Sequence, residues 1–114
     1  MHKRRYFIPA ALLALCCSAQ AAPPEESKEQ CKILEGAAKV VMTARQEGAP
    51  MSKLWDLADG LENKVLNNMY KQIIQDAYAQ PKLPAEPQQQ EAVTDFQNKY
   101  FSACIVAIQQ QAQK

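Results

Sequence analysis

Histidine is almost missing from this chain; His2 is the only one among 114 residues. Beyond that position there is no imidazole base, no Ser-His or Cys-His pair and no histidine metal ligand. Glycine is scarce as well. Gly36, Gly48 and Gly60 stand alone, so no glycine-rich loop exists to cradle a phosphate. No Cys-x-x-Cys pair is present, which removes the usual redox motif. Ser52-Lys53 lacks the Ser-x-x-Lys spacing of a serine nucleophile. The stretch "DLADGLE", residues 56–62, is too short for a calcium loop of about twelve residues. Asp56 with Asp59, and Asp59 with Glu62, would share a helix face, and such pairs read as solvated surface. No catalytic, cofactor or metal site is expected, and no enzyme.

The amino terminus reads as an export signal. Lys3, Arg4 and Arg5 precede an apolar run over 7–17 interrupted by Pro9, and Ala19-Gln20-Ala21 supplies the small-x-small cleavage pattern. The run is shorter than the roughly 20 residues that span a bilayer. Cleavage is expected after Ala21. A lipid anchor is disfavoured because Leu15, not a small residue, precedes Cys16, and Cys16 precedes Cys17. The expected location is the periplasm or outside the cell, with no stable membrane insertion after cleavage.

Removing residues 1–21 leaves 93 of the 114. Loss of Lys3, Arg4 and Arg5 reduces the thirteen basic residues to ten, against twelve acidic ones, a net charge of about −2 at neutral pH. A slightly acidic chain without a basic block argues against nucleic acid and against an anionic membrane surface. The length fits one domain with a modest core.

Of four cysteines only Cys31 and Cys104 survive cleavage, and in an oxidising compartment the simplest expectation is a disulfide. Closing a loop that long stabilises by about 4 kcal/mol in the chain-entropy model, a large share of a small domain's stability.

The remaining pattern is helical throughout. After a mobile lead over 22–26, Ser27 with Gln30 suggests a capping box. Cys31, Leu34, Ala38 and Val41 then fall on one stripe, widened by Ala37, Val40 and Ala44, as far as Gln46. Gly48 suits a left-handed helix end, Pro50 redirects the chain, and Ser52 suggests a new cap. A short helix through Leu54, Trp55, Leu57 and Ala58 should break at Asp59-Gly60. A third helix is expected over 61–78, with Leu61, Val65, Met69 and Ile73 on its stripe. "PKLPAEP", residues 81–87, reads as an extended connection, and a last helix over about 88–110 carries Val93, Phe96, Tyr100 and Cys104. The fold class is therefore all-α, a single domain over 27–114. It is a small bundle of about four helices with the first and last joined by a disulfide.

The corner "ARQEGAPMS" holds the candidate binding residues. Arg45 in a last helical turn gains about 0.3–1 kcal/mol from the helix dipole. Beside Gln46 it also offers a fork of donors to a partner's carboxylate. Met51 can tuck under the turn or lie on a surface. Trp55 is core at helical spacing, or an interface anchor where part-exposed. Tyr78, at a helix end, should pack its ring and leave its hydroxyl wet.

The segments "CKILEGAAKVVMTARQEGAPMSKL", "QDAYAQP" and "FQNKYFSAC" together resemble an uncharacterised family of small exported two-cysteine helical proteins from Gram-negative bacteria and their prophages. The resemblance covers nearly all of the chain after residue 21 and implies the same helical architecture, with no activity to carry over. By subtraction, the expected function is non-enzymatic binding of another envelope protein, as an inhibitor, immunity factor or prophage-encoded modulator. The alternative is a periplasmic stress or acid chaperone. Protonating twelve carboxylates would carry the net charge from about −2 to about +10 and loosen the bundle while the disulfide limits expansion. A carrier of a small apolar ligand is a third class.

Overall fold

The computed structural model describes residues 25–113, so the candidate signal segment lies outside the described residues. Four helices follow one another: α1 (Glu25–Gln46), α2 (Met51–Asp59), α3 (Lys64–Tyr78) and α4 (Glu86–Ala112). No strand occurs among the described residues. The helices form an all-α bundle in which α1 lies along α4, α3 packs on α1, and α2 packs on α3.

Each boundary has a local cause. α1 begins two residues ahead of Ser27, and Glu25 and Glu26 occupy its first turn, where negative charge is favoured by the helix dipole. Gly48 ends it at φ 87°, the left-handed conformation that costs glycine nothing. α2 restarts at Met51 with extended Pro50 as its cap residue and no side-chain cap, so Ser52 lies inside the helix. α3 begins three residues later than the pattern of Leu61 suggests. The Asn63 carboxamide oxygen accepts from the backbone N–H of Val65 at 2.9 Å and of Leu66 at 3.1 Å, which fixes the helix start there. α4 begins earlier than expected, with Pro87 in its first turn, because a proline there removes no helical hydrogen bond.

The core gathers Ala37, Ala38, Val41 and Met42 from α1 with Leu54 and Ala58 from α2. Ile73, Ile74 and Ala77 from α3 join Val93 and Phe96 from α4. Phe96 meets Tyr100 edge-to-face with ring centroids 5.0 Å apart, a favoured aromatic geometry. Val40 and Val65, expected on the inward stripes, are instead exposed at 63% and 75%, and Leu57 on the short second helix is exposed at 66%. The periodicity assigns the stripe correctly but not its extent. α2 is covered by α3 alone among the major helix contacts, and α3 buries residues fully only in its second half.

The disulfide joins Cys31 to Cys104 with Cα atoms 5.5 Å apart, across 73 positions of sequence. It ties α1 to α4 as the sequence implies.

Gly48→Ala forces a Cβ into the left-handed region and within 3.1 Å of Lys82 Nζ. The substitution should cost about 1 kcal/mol in urea unfolding, whereas Gly36→Ala, inside α1 with nothing within 4 Å of its Cβ, should stabilise by about 0.5–1 kcal/mol.

Candidate functional site

The corner after α1 is built around the carboxamide of Gln46, which is 3% exposed. Its Nε2 donates to the Pro81 carbonyl at 3.1 Å and touches Met42 Sδ at 3.5 Å, while its Oε1 accepts from the Leu83 N–H at 2.8 Å. One side chain thus holds both polar edges of the connection between α3 and α4. Arg45 works beside it. Its Nε donates to the Gln80 carbonyl at 3.1 Å, and its guanidinium lies over the Tyr78 ring, 5.1 Å from the centroid, a cation–π arrangement. From the α4 side, Gln89 Nε2 donates to the Leu83 carbonyl at 2.7 Å.

Tyr78 corrects an expectation. Its hydroxyl is not left to water but donates to the Ala49 carbonyl, tying the end of α3 to the turn after α1. Burial raises its pKa above the ordinary tyrosine value, with Arg45 opposing. Tyr100 is raised well above that value, first by burial, then by its hydrogen bond to Asp76 and by the charge of that carboxylate. Asp76 Oδ2 accepts from Tyr100 Oη at 2.9 Å and from Lys99 Nζ at 2.7 Å, and so joins α3 to α4.

The four candidate binding residues do not share one exposed face. Gln46 is buried and Arg45 half-buried, both committed to backbone carbonyls. Met51 is 36% exposed on α2. Trp55 is half-buried against the core, and Lys71 Nζ sits 5.1 Å from its ring centre. Lys71 also pairs with Asp59, linking α2 to α3. Lys71, Asp76 and Gln89 escaped the sequence reading. Each is a lone polar residue on a helix, and its partner is set only when the helices pack.

Two surface features remain. A cleft of about 210 Å³ lies between the end of α1 and the start of α4, with Thr43, Glu47, Glu86, Gln89 and Gln90 on its walls. None of these is a nucleophile backed by a base, and no group of three or more metal-binding side chains occurs among the described residues. The second feature is apolar. Leu57, near the end of α2, is exposed, as are Val65 and Leu66, at 75% and 38%, in the first turn of α3. The short 60–63 connection brings these helix ends to one corner. Comparison with protein-family models, with curated proteins and with solved structures gave no match.

Replacing Gln46 by Ala leaves the Leu83 N–H and the Pro81 carbonyl without their partner, and should cost about 2–3 kcal/mol in urea unfolding. Gln46→Glu should be worse at neutral pH, where a carboxylate oxygen faces the Pro81 carbonyl. It should recover part of the loss near pH 4, where the carboxyl can donate. A Glu variant equally stable at both pH values would sink this assignment.

The tyrosines give a second test. Folding keeps Tyr78 and Tyr100 protonated at pH values where the unfolded chain's phenols have ionised. The native state then binds more protons, so this stability is complete below about pH 10 and declines as pH rises through the raised values. Urea unfolding should show that alkaline decline, and Tyr100→Phe should flatten it. An unchanged slope in the variant would assign the decline to other groups.

Proposed function

We propose that this chain is exported, with cleavage near Ala21, and acts in the periplasm or outside the cell without catalysis by binding another envelope protein. An inhibitor, an immunity factor or a prophage-encoded envelope modulator fits that role. The observation that carries the reading is the apolar corner of α2 and α3, where Leu57 and Val65 stand 66% and 75% exposed beside Leu66. Neighbouring large aliphatics left in water are a recurrent mark of protein-binding surfaces. Met51 and Trp55 lie on the same short helix as Leu57, and Trp55, held under Lys71, is a preorganised aromatic of the kind that anchors interfaces. Arg45 and Gln46 contribute indirectly in this reading, by fixing the turn from which α2 departs. The compartment is supported by the disulfide. Among the described residues, no helix is long and apolar enough to cross a membrane.

A second reading, an acid-responsive chaperone, draws on Asp76. One carboxylate oxygen takes both Lys99 and Tyr100, a single polar link between α3 and α4, in a chain whose twelve acidic residues, protonated together in acid, would load the bundle with positive charge and loosen it.

Both readings meet in one experiment. Tagged protein lacking residues 1–21, and its Leu57→Asp/Val65→Asp variant, are used for affinity capture from envelope extract at neutral pH and near pH 3. Both substitutions fall at exposed positions, so circular dichroism and melting should be unchanged. A protein retained by the native form and lost by the folded variant supports the partner reading. Retention of many proteins in acid alone, with suppressed client aggregation, favours the chaperone. Equal retention by native protein and variant removes the apolar corner as the binding surface.

A further inference from the structure

The disulfide lies at the edge of the core: Cys31 is fully buried but is not part of the contiguous apolar cluster. The buried cluster takes its α1 members from Ala37–Met42 and its α4 members from Val93 and Phe96, with Leu34 and Tyr100 packed against its margin. Beyond that margin α1 continues through residues 25–33 and α4 through residues 101–112. On this outer seam Cys31 is the one buried residue. Phe101, Cys104, Ile105 and Ile108 are half-buried, while Ile33 and Val106 are 64% and 47% exposed. Among the described residues, no side-chain hydrogen bond or ion pair crosses the seam; its nearest ion pair, Lys32 with Glu29, stays within α1. Besides the covalent bond, only the partial apolar burial of Phe101, Ile105 and Ile108 is left to hold the two helix ends together.

We propose that Cys31–Cys104 is a redox latch on a separable seam. Its reduction by a dithiol releases residues 25–33 and 101–112 from each other, uncovering Phe101, Ile105 and Ile108, while the core remains folded. The exchange begins at Cys104, which is half-buried, whereas Cys31 is 0% exposed. A thiolate of the dithiol attacks the Cys104 sulfur, the Cys31–Cys104 bond breaks, and Cys31 leaves as a thiolate that takes up a proton. The second thiol of the reductant, as its thiolate, attacks the mixed disulfide and releases Cys104. Two electrons pass to the protein, and the dithiol ends as a disulfide. Local opening of this kind belongs to the low-stability end of a structure, where apolar contacts are few. The inference does not depend on any partner.

Dithiothreitol reduction of the folded protein, quenched by alkylation and weighed by mass spectrometry across sub-denaturing urea, tests the latch without requiring the reduced form to be stable. A seam that opens locally gives a rate nearly independent of urea. A rate rising with the full urea dependence of global unfolding would overturn the proposal. Amide hydrogen exchange on the reduced protein, and on Cys31→Ser/Cys104→Ser, supplies the second measurement. Protection should fall by about tenfold or more in residues 25–33 and 101–112 while persisting in residues 37–46, 73–78 and 93–98. Dye binding to exposed apolar surface should rise. Loss of core protection together with the ends, or unchanged protection at the ends, refutes a separable seam.

Discussion

The buried amide of Gln46 decides how the chain returns from α3 to α4. A carboxamide taken out of water must find partners for its donors and its acceptor, and here they are the Pro81 carbonyl and the Leu83 N–H. Those two groups belong to a proline-rich connection that makes no regular structure of its own, and a side chain supplies the hydrogen bonds that a helix or sheet would otherwise provide. With Arg45 on the Gln80 carbonyl and Gln89 on the Leu83 carbonyl, three side chains from the facing ends of α1 and α4 fix the path of the connection. That path sets where α4 starts and which of its residues face α1. The positions of Val93 and Phe96 in the core follow from it.

The α1–α4 pair is consequently held by different forces at its two ends. At the Gln46 end, buried polar bonds sit next to the apolar cluster and reinforce it, because each excludes water from the other. At the Cys31 end, the cluster has run out and a covalent bond takes over. Between the two anchors α1 has about four helical turns, roughly 22 Å at 1.5 Å per residue. The fully buried residues of α3 lie only over Ile73–Ala77 and those of α2 are only Leu54 and Ala58, with Met69, Tyr70, Tyr78 and Trp55 partly buried against them. The bundle is thus well packed at one end and thin at the other. For a chain this short, with too little apolar surface to cover four helices along their whole length, that distribution is expected.

Helix number, the two-cysteine tie and the corner at Gly48 were legible in the sequence because each rests on a local signal. These signals are apolar periodicity, cysteine count in an oxidising setting, and a glycine placed where a helix must stop. Asn63 as the cap of α3 and Pro87 inside the first turn of α4 were also local, and were passed over for the more conspicuous Asp59-Gly60 and the proline run. The exposure of Val40, Leu57 and Val65 was not legible. A stripe of apolar residues states which face could be buried, and only the lengths and crossings of the neighbouring helices state how much of it is. In the sequence Arg45 reads as a helix-end arginine or, with Gln46, as a fork of donors to a partner's carboxylate. Their role lies thirty-five residues away, at backbone groups that no side-chain pattern advertises.

The division of labour along the corner bears on what the protein can do. Residues 45–50 are consumed in holding backbone: Gln46 and Arg45 on the far connection, Gly48 in its left-handed turn, the Ala49 carbonyl on Tyr78. α2 leaves from that fixed turn as a nine-residue helix with two buried side chains. A helix so short has little intrinsic stability, and it is held in place by packing on α3 and by Lys71, which spans Trp55 and Asp59. Its outward residues are therefore presented on a rigid mount although they contribute little to the core. A surface of this kind loses little conformational entropy when something docks on it. Leu57 is the apolar part of that surface, and its mount on a packed helix distinguishes it from Ile33 and Val106, which lie on the thin end of the bundle.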